Sequence, residues 1–150
     1  MVFSGRFDHA IDEKGRVSIP ARFRETLQRD GHEALFITNW IHRQERCLAL
    51  YPPNEWLGLT GKIRQRGSVD PAAQTFQMFV IGGAHEVQVD RQGRILIPPR
   101  LREYARLGRD VTFNALIDNF QLWDKSVLQR ILEADLEQIM NPEFFAKLNL

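Results

Sequence analysis

A chain of 150 residues with 43% apolar and 26% charged residues is long enough to bury a core, which excludes a disordered or fibrous protein. Its one cysteine, Cys47, excludes an intramolecular disulfide and a cysteine-based zinc site, and no apolar run reaches the roughly 18 residues of a membrane span. The net charge is +1, and Met1 to Ala10 alternates charged with apolar residues where a signal peptide would have an apolar middle, so the expected location is cytoplasmic.

The first elements in chain order form a compact plan. Phe7, His9 and Ile11 alternate with Asp8 and Ala10, the period of a strand, and Val17 and Ile19 alternate in the same way with Arg16 and Ser18. Asp12 to Gly15 separates them as Asp-x-x-Gly. There the carboxylate can accept turn N–H groups and the glycine can take the left-handed backbone, which predicts a hairpin. Pro20 suits the first turn of a helix, Phe23 and Leu27 form an apolar pair on one face, and Gly31 is placed to stop it. Ala34 to Thr38 reads as a buried strand.

Gly58 to Asp70 is rich in glycine and basic residues, and Pro71 to Ile81, with Phe76, Met78, Phe79 and Val80, predicts a short buried helix ending at Gly82-Gly83. The first plan then repeats: a strand over Glu86 to Val89, a turn, a strand over Arg94 to Ile97, a helix from Pro98 stopped by Gly108, and a strand over Val111 to Leu116. Asp124 or Ser126 would cap a last long helix with an apolar stripe of Leu128, Ile131, Leu132, Ile139 and Met140. That stripe could close the chain's own core or dock on a neighbouring subunit, and self-packing is the expectation for so short a chain. Asn141-Pro142 would restart a final turn carrying Phe144 and Phe145.

Asp12 to Glu25 matches Asp90 to Glu103 without a gap, at an offset of 78 (90 minus 12), with eight of fourteen pairs identical. Leu48 to Trp56 echoes Phe120 to Leu128 more loosely. The chain is therefore read as two copies of one β-β-α-β-β unit. Each copy carries a basic stretch. Lys14 to Arg29 has five basic residues against Glu25, and Arg91 to Arg109 has six against Glu103, whereas Asp110 to Leu150 has seven acids against three bases. Two basic patches on a balanced chain suit a polyanion, and a solvated surface would give the same count.

The duplicated D-x-x-G-R-hydrophobic-x-hydrophobic-P module and the opening Met-Val-Phe-Ser-Gly resemble the MraZ family, a double-module branch of the AbrB/SpoVT superfamily. The resemblance covers nearly the whole chain. It implies an α+β fold in which tandem β-hairpin/helix modules form a swapped-hairpin β-barrel with peripheral helices. It also implies bacterial transcriptional regulators that bind double-stranded DNA repeats upstream of the division and cell-wall gene cluster, including their own gene. Ring-shaped homo-oligomers and association with the nucleoid would follow. Its D-x-x-x-R signature falls on Asp12 and Arg16 in the first copy and on Asp90 and Arg94 in the second. Residues 1–57 and 84–127 would then be the modules, 58–83 the connector and 128–150 a helical tail. Two stretches depart from the family pattern: Asn39 to Cys47 is longer than the usual hairpin, and Asn114-Ala115 stands where a glycine is expected before Asp118.

Arginine's planar fork can hold two phosphate oxygens or the O6/N7 edge of guanine. The expected DNA-binding residues are Asp12, Lys14, Gly15 and Arg16 with Asp90, Arg91, Gly93 and Arg94, and Arg22, Arg24, Arg100 and Arg102 would supply further phosphate contacts. An ion pair that only stabilises each turn is the alternative for Asp12–Arg16, and internal pairing is the favoured one for Arg24 and Arg102. No nucleophile elbow, phosphate loop or H-E-x-x-H is present, the four histidines lie singly, and Cys47 reads as a half-buried strand residue, so an enzyme is not expected. Neither a cofactor nor a small-molecule substrate is expected. The rival function is an antitoxin-like or scaffold module that binds another protein.

Overall fold

A computed structural model describes residues 2–150, so Met1 of the opening motif lies outside the described residues. In chain order the elements are β1 (Arg6–Ala10), β2 (Arg16–Ser18), α1 (Ala21–Arg29), β3 (Ala34–His42), β4 (Glu45–Tyr51) and α2 (Pro53–Gln65). There follow α3 (Pro71–Phe76), a π-helical turn (Gln77–Ile81), β5 (His85–Gln88), β6 (Arg94–Leu96) and α4 (Pro99–Tyr104). The chain closes with β7 (Asp110–Ala115), β8 (Phe120–Asp124), α5 (Lys125–Ile139) and α6 (Phe144–Lys147).

Helices and strands are mixed, as expected, but the strands pair differently from the predicted hairpins. β1 does not pair with β2. It pairs antiparallel with β7, and β5 pairs with β3, while β2 and β6 pair with each other. The result, among the described residues, is a six-stranded antiparallel sheet in the order β1-β7-β8-β4-β3-β5 and a separate two-stranded ribbon, with no closed barrel. The reason is local. Asp12 N–H donates to Arg16 C=O at 2.9 Å and closes the turn, but Ile11 N–H already donates to Arg109 C=O, so the arms separate beyond that bond. The order is symmetric about the β8–β4 pair, where Leu48 faces Leu122 and Leu50 faces Phe120.

Val17, Ile19, Ile95 and Ile97 point from the ribbon onto one face of the sheet and meet Leu35, Ile37, Leu48, Leu50, Val111, Phe113, Phe120 and Leu122. Phe23 and Leu27 of α1 and Leu101 of α4 complete this core. The predicted Phe23/Leu27 pair is thus the buried face of α1. Pro20 and Pro98 stand one position ahead of their helices, at the caps. Gly31, at φ +74°, terminates α1 as predicted. Gly108 does not stop α4: that helix ends at Tyr104, and Arg106 takes the left-handed conformation at φ 53°.

On the opposite face, Leu128 and Ile131 of α5 pack with Cys47 and Trp123. Asp124 caps α5 by accepting from Val127 N–H, as expected of one of the two candidates. The predicted apolar stripe divides along its length, because Ile139 and Met140 are exposed and only its first half closes the chain's own core. The expected buried helix over Pro71 to Ile81 is also only partly buried. Ala73 and Val80 are inside, while Met78 and Phe79 face solvent. α2 fills much of the glycine-rich segment, docking through Trp56 stacked on Phe36 with centroids 5.3 Å apart. Asn39 to Cys47 forms a tight hairpin with longer arms, turning at Arg43 and Gln44, both with positive φ. Ile117, at φ 72°, occupies the left-handed position near which a glycine was expected, a costly conformation for a β-branched residue.

Candidate nucleic-acid interface

Each turn is built around its aspartate. Asp12 Oδ1 accepts the N–H groups of Lys14 and Arg16, both at 2.9 Å, and Oδ2 accepts Arg16 Nε–H at 2.9 Å. In the second turn Asp90 Oδ1 accepts from Gln92 and Arg94 N–H at 2.9 Å, and Oδ2 accepts Arg94 Nε–H at 3.2 Å. Gly15 and Gly93, at φ +87° and +78°, supply the left-handed residue that lets each turn close. The hydrogen bond from Arg16 N–H, then its side chain and the Lys14 N–H, holds the Asp12 carboxyl below the usual carboxylate range. Asp90 is lowered in the same way, led by Arg94 N–H. Both carboxylates are therefore ionised at neutral pH, and each fixes its arginine through Nε. The outer guanidinium nitrogens make no further hydrogen bond among the described residues.

The ribbon brings these two arginines onto one surface. Arg16 faces Leu96, Val17 faces Ile95 and Ser18 faces Arg94. Val17 and Ile95 are buried in the core, so their neighbours Arg16, Ser18, Arg94 and Leu96 alternate to the outside. Ser18 and Leu96 were not among the expected site residues, although their alternation with Val17 and Ile95 carries that signal. Lys14 and Arg91 are exposed in the turns, and Arg22 and Arg100 are exposed on α1 and α4.

Arg24 and Arg102 lie behind the turns, Arg24 beside Gly93 and Arg102 beside Gly15. Both are half-buried, and Arg24 Nε–H donates to Ile19 C=O at 3.0 Å. No group of three or more acidic, histidine or cysteine side chains placed to hold a metal occurs among the described residues. Burial pushes the Cys47 thiol up to about 12, and its side chain is fully enclosed rather than half-buried.

The two copies are also visible in family comparison. The family model described as "MraZ protein, putative antitoxin-like" matches twice in tandem, over residues 2–79 and 80–145. The chain belongs to the MraZ family. Among curated MraZ proteins, "Transcriptional regulator MraZ" of Syntrophobacter fumaroxidans is 42% identical over 133 residues, covering 89% of this chain and 86% of the relative. The protein of the same name from Coxiella burnetii is 43% identical over 83% of this chain and 81% of its own length. That of Shewanella woodyi is 36% identical over 99% and 97%. The MraZ similarity therefore spans both turns, the sheet and all of α5.

Proposed function

We propose that this chain is a sequence-specific DNA-binding transcriptional regulator that contacts DNA through the outward face of the β2–β6 ribbon and its two flanking turns. The supporting observation is the paired geometry just described: two arginines, each tethered at Nε by its own aspartate, project from one short antiparallel ribbon. A two-stranded ribbon is one of the elements the major groove admits, and an arginine held at Nε still offers its outer nitrogens to guanine or phosphate. Lys14 and Arg91 in the turns, with Arg22 and Arg100 on the helices, add phosphate contacts around it. The name shared by the relatives, transcriptional regulator, supports the same reading.

The finer reading follows from the family resemblance. The targets are tandem repeats upstream of the division and cell-wall gene cluster and of the chain's own gene, bound by a ring-shaped homo-oligomer in the cytoplasm at the nucleoid. On this reading the modules are 1–57 and 84–127, with a connector at 58–83 and a tail at 128–150, and the exchange of strands between the copies supports a swapped-hairpin arrangement of them. One ribbon offers few contacts, and repetition around a ring raises the effective concentration of the rest.

Fluorescence anisotropy with a duplex from upstream of the gene and a scrambled duplex, over a range of salt, tests this. The upstream duplex binds more tightly, affinity falls steeply with salt, and Arg16→Ala and Arg94→Ala each weaken binding and reduce the salt slope by about one. Equal affinity for both duplexes, or variants that leave affinity and slope unchanged, would sink the proposal. Absence of binding at low salt together with a stable complex with a different protein would favour the antitoxin-like function.

A further inference from the structure

The helix arginines of each copy lie against the turn of the other. Gly93 has no side chain, and a Cβ built on it would overlap Arg24 Nη1 and Cδ and stand 2.7 Å from Cζ. In the mirror position a Cβ on Gly15 would stand 2.8 Å from Arg102 Cζ and 3.1 Å from its Nε and Nη1. Arg24 belongs to α1 of the first copy and Gly93 to the second turn, whereas Arg102 belongs to α4 of the second copy and Gly15 to the first turn. The backbone crosses in the same sense, since Ile19 N–H donates to Gly93 C=O at 2.8 Å and Ile97 N–H to Gly15 C=O at 2.9 Å.

We infer that Arg24 and Arg102 are positioning residues, each fixing the DNA-contacting turn of the opposite copy by packing its guanidinium end against that turn's glycine. This deepens the DNA-binding proposal and rests on it for its functional consequence. Three observations carry it. Both glycines are buried, so the space a side chain would fill is taken by the guanidinium. Arg24 Nε–H is already committed to the C=O of Ile19, the residue that follows the ribbon strand and whose N–H donates to Gly93 C=O. Arg102 Nε is enclosed and, among the described residues, has no hydrogen-bond partner, so that nitrogen is closed to a phosphate outside.

The two clasps are unequal. Arg24 has its carbonyl acceptor and Arg102 has none, so the second turn is held more firmly than the first. Positional control also separates these residues from Arg22 and Arg100, which stand two positions earlier on the same helices and face solvent. A lysine at position 24 or 102 keeps the charge but lacks both the planar group and the Nε–H.

Arg24→Lys and Arg102→Lys test the inference in the full-length protein, with Arg16→Ala as the comparator. Arg24→Lys weakens binding to the upstream duplex by about tenfold, the effect of losing one charge-assisted hydrogen bond, and Arg102→Lys, which loses only the packed guanidinium, weakens it by less, while the salt slope stays at the wild-type value in both. In protein carrying isotope-labelled glycine, Arg24→Lys moves the Gly93 amide resonance and leaves Gly15 in place, and Arg102→Lys does the reverse. The resonance test needs no DNA, so it decides the clasp even if the wild-type protein fails to bind the duplex. Resonances that stay still, or that move in the turn of the same copy, overturn the inference. A normal affinity in the Lys variants, or in a charge-removing Arg24→Gln variant a slope lowered by about one with Gly93 unmoved, assigns a phosphate contact and overturns it as well.

Discussion

Val17 lies directly opposite Ile95 in the ribbon, and each is the counterpart of the other in the sequence repeat. This pair marks the centre of the approximate twofold relation between the copies. It also anchors the proposed interface, because its burial turns Arg16 and Arg94 outward.

The ribbon's hold on the core is measurable at Ile95, which is 1% exposed. Ile95→Val is expected to cost about 0.5–1.5 kcal/mol and Ile95→Ala about 2–5 kcal/mol in urea unfolding, since the cavity left behind adds to the lost transfer energy. A loss close to zero for Ile95→Ala would mean that the ribbon is not packed on the sheet.

The turns should respond to acid. Asp12 and Asp90 have carboxyl groups held below their unfolded values, so the stability they contribute is present above the unfolded value near pH 4 and is lost as pH falls through the lower folded value. Asp12→Asn and Asp90→Asn therefore flatten the pH dependence of unfolding in that acid range. At neutral pH the same variants release Arg16 or Arg94 and weaken DNA binding. Unfolding profiles from pH 2 to 7 that superimpose on the wild type would contradict the turn chemistry.

Helix α5 should be energetically divided. Leu128, 3% exposed against Trp123 and Cys47, is expected to cost about 2–5 kcal/mol when changed to alanine. Met140, 65% exposed, should change the stability of the isolated chain by less than about 0.5 kcal/mol. Thermal or chemical unfolding of both variants at low protein concentration checks the contrast, and equal losses would refute it.

Cys47 should be chemically silent in the folded protein. With its thiol raised to about 12 by burial, it is protonated at pH 8 and enclosed between strands and α5. A thiol reagent at pH 8 is expected to react in step with global unfolding. Rapid stoichiometric reaction of the native protein would show that the site opens locally.

Much of this architecture is legible in the sequence because its signals are local. Asp-x-x-Gly specifies a turn by side-chain hydrogen bonds within five residues, Phe23 and Leu27 specify a buried helix face, and Asp124 specifies a cap. Pairing partners are different. The alternation of Phe7, His9 and Ile11 shows that a strand forms, but the choice of β7 over β2 depends on backbone groups a hundred residues away. Arg24 and Arg102 are legible in part: their place beside the apolar helix face favours an internal partner and sets them apart from Arg22 and Arg100, but which glycine each one meets depends on the other copy. Met78 and Phe79 look like core residues by composition and are outside because consecutive residues of a helical turn point in different directions and Val80 takes the inward one. The helix over Pro53–Gln65 is obscured by Gly58 and Gly61, which lower its intrinsic propensity, and is held instead by Trp56.

Strand order has a consequence for how the molecule comes into being. Reading across the sheet, the first half supplies one edge and two inner strands, and the second half supplies the rest, with each edge strand leaning on the other half. Severed near Gly82, the two fragments would each be left with unpaired backbone and half a core, and would complete the sheet only on recombining. Synthesis of the amino-terminal half therefore yields a chain that must wait for its second half before it can close.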